Sequence, residues 1–233
     1  MTRTTNARIA GFTFLAYIAA TISSMIIFAR ATSGESIAAK LGSILEHTAS
    51  MHVVVLLALV QAFAALVLAV TLYAITRDQD RELALLAMAC RLTEGVIGAL
   101  SASTILALLW IATGNRSDAS AASSAHTLVE YLLRDDSAVG AFFFAVGSAL
   151  FAYLLLRGRL IPVALAWLGV AASLLLVVGL PAQLANLISP AAISLMWLPM
   201  LAFEIPLGLW LLIKGVGASQ PRTPRLANIT DDV

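Results

Sequence analysis

The sequence has few of the residues that soluble proteins carry on their surfaces. Charged residues make up 12% of the 233 residues, whereas roughly 25% is usual for a soluble globular domain. The chain has one cysteine, Cys90, which excludes an intrachain disulfide and gives no indication of the redox compartment. Its net charge of +1 provides no electrostatic basis for binding a polyanion. We therefore expect a protein that is not soluble and has no nucleic-acid partner.

Motifs that carry common chemistries are also missing. The sequence contains no His-Glu-x-x-His or Cys-x-x-Cys metal motif, no Gly-x-Ser-x-Gly nucleophile motif and no glycine-rich phosphate loop. The sequence therefore predicts no cofactor and favours a protein that is not an enzyme.

Long apolar stretches fill the chain instead. Hydrophobic residues account for 61% of it, and the mean hydropathy is +0.95. Because a helix rises about 1.5 Å per residue, about 20 apolar residues cross the hydrocarbon core of a bilayer. We predict an all-α fold, a polytopic integral membrane bundle of six transmembrane helices. The predicted spans are about 9–29, 52–76, 82–113, 138–157, 161–181 and 192–214.

The distribution of basic residues predicts the orientation of the bundle. Nine basic residues lie on the side of the membrane that holds both termini, and four lie on the other side. By the positive-inside rule, both termini are cytoplasmic. The first apolar run is longer than that of a signal peptide, so we expect it to remain as the first span. Residues 1–215 form one six-span domain, and the polar tail 216–233 is predicted to be a disordered cytoplasmic segment.

Two connections on the outer side are long enough to hold further structure. The stretches Ala31–Met51 and Gly114–Ser137 each contain apolar residues at helical spacing with polar residues between them. This pattern predicts two short amphipathic helices, which either lie on the membrane surface or cap the bundle.

Charged residues inside the spans are the strongest indication of a functional site. Arg91 and Glu94 lie roughly 14 and 18 Å into the third span, and Glu204 lies about 15 Å from the end of the sixth. The i, i+3 spacing of Arg91 and Glu94 places them on one helix face within reach of each other. Gly95 and Gly98 continue that face, and such small residues allow a neighbouring helix to approach closely. We expect this face to be buried in the bundle.

The two carboxylates and one guanidinium leave one negative charge if all are ionised. A dry interior would oppose that charge, so either one glutamate is protonated or a cation, a ligand or water enters. Pro199 and Pro206 flank Glu204 and predict a loosened, kinked sixth span at the same depth. Gln61 in the second span is a further candidate for this layer. The alternative is that the three charged residues only lock two helices together.

A metal site is the other candidate. His47, His52 and His126 all fall on the outer side, and His126 and Glu130 have the i, i+4 spacing of two ligands on one helix face. The alternative is that these are polar residues at the headgroup surface.

Several aromatic residues lie toward the ends of spans. Such positions are typical of residues that anchor a protein at the membrane surface. The predicted anchors are Trp167, Trp197, Trp210, Tyr73 and Tyr153.

Four segments together resemble a bacterial membrane-protein family, domain of unknown function 4386. They are Leu72-Tyr73, Ala84 to Glu94 with its Arg-Leu-Thr-Glu core, Tyr153 to Pro162 (YLLLRGRLIP), and Glu204 to Gly215 (EIPLGLWLLIKG). The resemblance implies a six-span bundle in a bacterial inner membrane and supplies no activity.

Three functional hypotheses remain open at this stage. The first is a protein that binds or moves a small molecule, ion or lipid at Arg91, Glu94 and Glu204, in contact with the lipid bilayer. The second is an intramembrane enzyme with a glutamate of raised pKa or an outer-side metal site. The third is a structural or sensory subunit that docks a partner. The sequence does not indicate an oligomeric state.

Overall fold

The computed structural model describes residues 2–114, 119–133 and 138–217. These residues form eight α-helices and no strand. The helices are α1 (Arg3–Ala31), α2 (Ile37–Glu46), α3 (Thr48–Thr76), α4 (Arg81–Thr113), α5 (Ala119–Leu132), α6 (Ala138–Arg157), α7 (Val163–Leu184) and α8 (Pro190–Ile213). All but the first two residues of the predicted tail, 216–233, lie outside the described residues.

Six of these helices are long and apolar enough to cross a membrane, namely α1, α3, α4, α6, α7 and α8. The predicted fold is therefore confirmed, and the chain is a multi-pass membrane protein whose helices contact lipid. The main difference from the predicted spans is that α1 begins at Arg3, ahead of its apolar run. The side chain of Thr2 accepts a hydrogen bond from the backbone N–H of Thr5, and this cap allows the polar N-terminal residues to join the helix.

The six spans are arranged in a ring. Each packs against the spans that precede and follow it in sequence, and α8 packs against α1 to close the ring. The closure depends on Gly11, since a Cβ atom at this position would lie 2.5 Å from the carbonyl oxygen of Gly208 and 2.5 Å from the backbone nitrogen of Leu212. Small residues allow helix backbones to meet at this distance. Side chains that point into the ring are thus enclosed on all sides by helices.

Both ends of the described chain meet on one side of the bundle, which we call the terminal side. The Arg3 guanidinium donates a 2.8 Å hydrogen bond to the carbonyl oxygen of Ile75 at the end of α3. The backbone N–H of Gly217 donates to the carbonyl oxygen of Leu160, between α6 and α7. These bonds bring the start of α1 and the end of α8 to the same surface as two tight turns, residues 77–80 between α3 and α4 and residues 158–162 between α6 and α7.

Asp80 connects two helices on the terminal side. Its carboxylate accepts a hydrogen bond from the backbone N–H of Leu83 in the first turn of α4. It also forms a 2.8 Å ion pair with Arg157 at the end of α6. The backbone hydrogen bond first, and then the arginine, hold the pKa of Asp80 below its ordinary value of 3.8.

The opposite side, which we call the distal side, carries the two short helices α2 and α5. Ile44 of α2 is fully buried against α3 and α4, and Val129 of α5 is fully buried beside Leu108 of α4. The predicted pair of short helices is confirmed, and they cap the bundle. The cap is one-sided, because within the described ranges α2 and α5 contact α1, α3, α4 and each other but none of α6, α7 and α8.

The two prolines of the sixth span do not interrupt its helix. Pro199 and Pro206 lie inside α8, which nevertheless stays helical from Pro190 to Ile213. The side chains that follow them, Met200 and Leu207, are almost fully buried in the ring. Neighbouring helices and the absence of competing water allow a transmembrane helix to tolerate the missing N–H groups. The sixth span is therefore not a broken helix.

Candidate functional site: a charged layer beneath a cavity

The side chains of Arg91 and Glu94 form an ion pair inside the ring. The Arg91 Nη1 atom lies 2.9 Å from Glu94 Oε2, and the two side chains are 1% and 8% exposed. The other carboxylate oxygen, Oε1, accepts a 2.9 Å hydrogen bond from the hydroxyl of Tyr17 on α1. The Glu94 carboxylate therefore connects α4 to α1, with a hydrogen bond at Oε1 and an ion-pair contact without hydrogen-bond geometry at Oε2.

The structure shows how α6 accommodates the long side chain of Arg91. A Cβ atom on Gly147 would lie 3.1 Å from Arg91 Cγ, so the arginine stem runs directly across this glycine. At its far end the guanidinium carbon lies 4.7 Å from the centre of the Phe144 ring, a distance at which a cation is attracted by an aromatic face. The absence of a side chain at Gly147 thus sets the path of Arg91.

Glu204 on α8 is buried in the same region but is not paired. Its side chain interacts electrostatically with Arg91 and Glu94, yet no cationic group of the described chain lies within ion-pair distance of it. Its Oε1 atom is buried and has no hydrogen-bond partner among the described residues. A buried polar atom without a partner costs roughly 1–3 kcal/mol, and more when it is charged. The guanidinium nitrogens of Arg91 and the Oε2 atom of Glu94 also lack a hydrogen-bond partner among the described residues, but those two side chains form an ion pair with each other. In that part of the chain, Glu204 has neither a hydrogen bond to Oε1 nor an ion pair.

A cavity of about 380 Å³ occupies the distal half of the ring, above this layer. Tyr17, Glu94 and Glu204 lie at its inner end, and the aromatic rings of Phe144 and Trp197 form part of its wall. Small residues create the space. Gly95 packs closely against α3, where an added Cβ would lie 3.2 Å from the carbonyl oxygen of Ala62, but Gly98 has nothing within 4 Å of such an atom. The predicted small-residue face therefore serves both packing and cavity formation.

Gln61 lines the same cavity. Its side-chain oxygen accepts a 3.0 Å hydrogen bond from the hydroxyl of Thr21, and its nitrogen donates to the carbonyl oxygen of Leu57. Gln61 thus connects α3 to α1 within the cavity wall and makes no hydrogen bond to the charged residues.

Arg91 does not line the cavity. It lines a separate space of about 10 Å³ on the terminal side of the layer, together with Ser148 and apolar residues. The acidic groups therefore face the large cavity, while the guanidinium lies behind them.

The comparisons with known proteins identify the family. The model of the family described as Domain of unknown function (DUF4386) matches residues 9–215. The chain belongs to this family. No curated protein and no solved structure matches the chain. The resemblance of the four segments is thereby confirmed, and because the family description names no activity, the function of this DUF4386 protein has to be argued from its site.

Three aromatic residues of this DUF4386 site were missed or misplaced by sequence reasoning. No functional role was predicted for Tyr17 or Phe144. A tyrosine in the middle of an apolar run nevertheless indicates a buried hydrogen-bond partner. Trp197 was predicted to be an anchor at the membrane surface. That prediction is wrong, since its half-buried ring lies 5.6 Å from the centre of Phe144 and lines the cavity.

The three histidines do not form a metal-like cluster in the part of the chain that the structure describes. The rings of His47 and His52 each bond to a carbonyl oxygen one turn earlier in the chain, those of Ser43 and Thr48. The side chains of His126 and Glu130 are exposed on α5. Within the described ranges, no three His, Cys, Asp or Glu side chains converge as metal ligands would. The geometry therefore lends the metal hypothesis no support.

Proposed function

We propose that this membrane protein binds a small molecule, ion or lipid in the distal cavity, with Glu94 and Glu204 as its polar end, and that it acts as a binding or transport protein. One observation carries the proposal: the cavity ends at a buried carboxyl group, that of Glu204, whose Oε1 atom has no hydrogen-bond partner. Buried polar groups are normally paired, and an ionisable residue inside a membrane usually marks a functional site. A ligand with a polar or charged group at the inner end of the cavity would lie beside this carboxyl group and give it a partner.

The shape of the cavity supports the same function. Ligand sites are concave, mostly apolar and supplied with a few polar groups, and their volumes are about 300–1,000 Å³. The distal cavity, of about 380 Å³, has such a volume and such a lining.

A structural lock is the second candidate, and the Arg91–Glu94–Tyr17 contacts favour it because they join two helices with paired groups. It accounts for Glu94 but leaves Glu204 unexplained.

Two variants test ligand binding by different means. Glu204→Gln removes the charge and keeps the shape, and Gly98→Leu fills the cavity from a position where an added side chain has room. We expect the wild-type protein to carry a bound molecule in native mass spectrometry and both variants to lose it while keeping a folded elution profile.

Matched controls for these variants lie outside the cavity. Glu35→Gln makes the same chemical change in an exposed loop, and Gly42→Leu adds the same side chain where nothing lies within 4 Å of a Cβ atom. Both should retain the bound mass. A wild type that carries no bound molecule, or test variants that retain it, would contradict the proposed function.

We also propose that the protein lies in a bacterial inner membrane with both termini in the cytoplasm, as the excess of basic residues on the terminal side supports. Cysteines introduced in a variant that lacks Cys90 test this orientation. A membrane-impermeant maleimide should label Glu35→Cys, on the distal side, in intact cells, and Asp78→Cys, in an exposed turn of the terminal side, only after lysis. The reverse labelling pattern would show the opposite orientation.

A further inference from the structure

The charges around the distal cavity are arranged asymmetrically. Among the described residues, its lining includes Glu94 and Glu204 but no lysine, arginine or histidine. The nearest buried cation, Arg91, lies outside the lining and borders the small space on the terminal side. A molecule that enters the cavity therefore meets carboxyl groups first.

Arg91 is held in this position by three contacts. Its Nη1 atom pairs with Glu94, its guanidinium lies over Phe144, and its stem lies against Gly147. Moving the guanidinium into the cavity would break the ion pair and the aromatic contact at once. Glu94 is thus the ion-pair partner of Arg91, and Glu204 lies outside ion-pair distance.

With both glutamates ionised, the single charge of Arg91 balances only one of them, and one negative charge remains at the inner end of the cavity. A ligand with a single positive charge would balance it, whereas an anion would meet two carboxylates in a medium that screens charge poorly. A small inorganic cation is a weaker match, because it requires several oxygen ligands and no such cluster converges among the described residues.

The residues that line the cavity walls indicate the chemical character of the rest of the ligand. Above the carboxyl groups the lining consists mainly of aliphatic side chains, with the rings of Phe144 and Trp197 on one side. Such walls take an apolar body, and aromatic faces attract organic ammonium groups. On the basis of the proposed function, we infer that the cavity binds an amphipathic organic monocation whose ammonium group lies against Glu204 and whose apolar body extends toward the distal side.

Three compounds with the same apolar body test this inference. They are 4-phenylbutylammonium, 4-phenylbutanol and 5-phenylpentanoate, in which the same phenylbutyl group carries an ammonium, a hydroxyl or a carboxylate group, so that the charge at neutral pH is positive, zero or negative. Affinity is measured by equilibrium binding to the full-length protein in a non-ionic detergent, after removal of any bound molecule. We expect the ammonium compound to bind about tenfold more tightly than the alcohol or better, and the carboxylate to bind most weakly.

The Glu204→Gln and Glu35→Gln variants extend this test. In Glu204→Gln the affinities for the ammonium compound and the alcohol should become equal, since shape is kept and charge is lost, while Glu35→Gln should retain the wild-type ranking. The wild-type ranking by itself tests the inference, so a Glu204→Gln protein that folds poorly does not weaken the experiment.

Each other outcome overturns the inference in a distinct way. Equal binding of the ammonium compound and the alcohol to the wild type, or binding of none of the three, rejects a cationic ligand. Preference for the carboxylate would mean that Arg91 reaches the cavity. In all these cases the proposed function is judged separately, by whether the native protein carries a bound molecule that Gly98→Leu displaces.

Discussion

Arg91→Ala is expected to destabilise the folded protein by about 3–5 kcal/mol, the usual cost of removing one partner of a buried ion pair. The substitution leaves the carboxyl groups of Glu94 and Glu204 inside the ring with no buried cation, and it opens a space where the arginine stem crosses Gly147. The effect is measured as the loss of folded protein during thermal unfolding in detergent. Arg77→Ala is the control, because that side chain is 58% exposed.

A double variant separates the loss of charge pairing from the loss of packing. Replacing a buried ion pair by apolar residues of similar size is often neutral or stabilising, so Arg91→Met combined with Glu94→Leu should recover part of the stability lost in Arg91→Ala. If Arg91→Ala melts like the wild type, the ion pair does not hold the ring together, and the structural-lock hypothesis loses its main support.

Gly11→Val is expected to have a comparably large effect by a different mechanism. The new Cβ atom would lie 2.5 Å from two backbone atoms of α8, those of Gly208 and Leu212, and no side-chain rotation can relieve a clash with backbone. Overpacking of a core costs about 1–3 kcal/mol and sometimes more, and here relief requires α8 to move away from α1. We expect the folded fraction in size-exclusion chromatography to fall sharply.

The matched control for this variant is Gly42→Val, because nothing lies within 4 Å of a Cβ atom at that glycine of α2. A Gly11→Val protein that melts and elutes like Gly42→Val would show that the ring does not close through this contact.

Local patterns explain why much of the fold could be predicted. The spans follow from the length of apolar runs, and the two short distal helices follow from apolar residues at helical spacing. The contact between Arg91 and Glu94 could also be predicted from a local pattern, because a spacing of i, i+3 brings side chains together on any helix.

The partners that come from other helices could not be predicted in this way. Glu94 accepts a hydrogen bond from Tyr17, which lies 77 residues away in sequence. Trp197 resembles an anchor by its position along α8, and only the order of the helices around the ring brings its ring to Phe144 of α6. Such contacts depend on how the helices are rotated and ordered around the ring. The spacing of residues along one helix contains no information about either.

The sequence by itself determined that this chain is a six-span membrane protein, that Arg91, Glu94 and Glu204 lie inside two of its spans, and that Arg91 can reach Glu94, because each of these follows from composition, the length of apolar runs or spacing along one helix. The tertiary structure alone decided that Arg91 lies behind the carboxyl groups, that the Oε1 atom of Glu204 has no hydrogen-bond partner among the described residues, and that a cavity opens above it. The physical reason is that these features arise between helices that are far apart in the chain, where small residues such as Gly11, Gly98 and Gly147 set how closely the backbones approach.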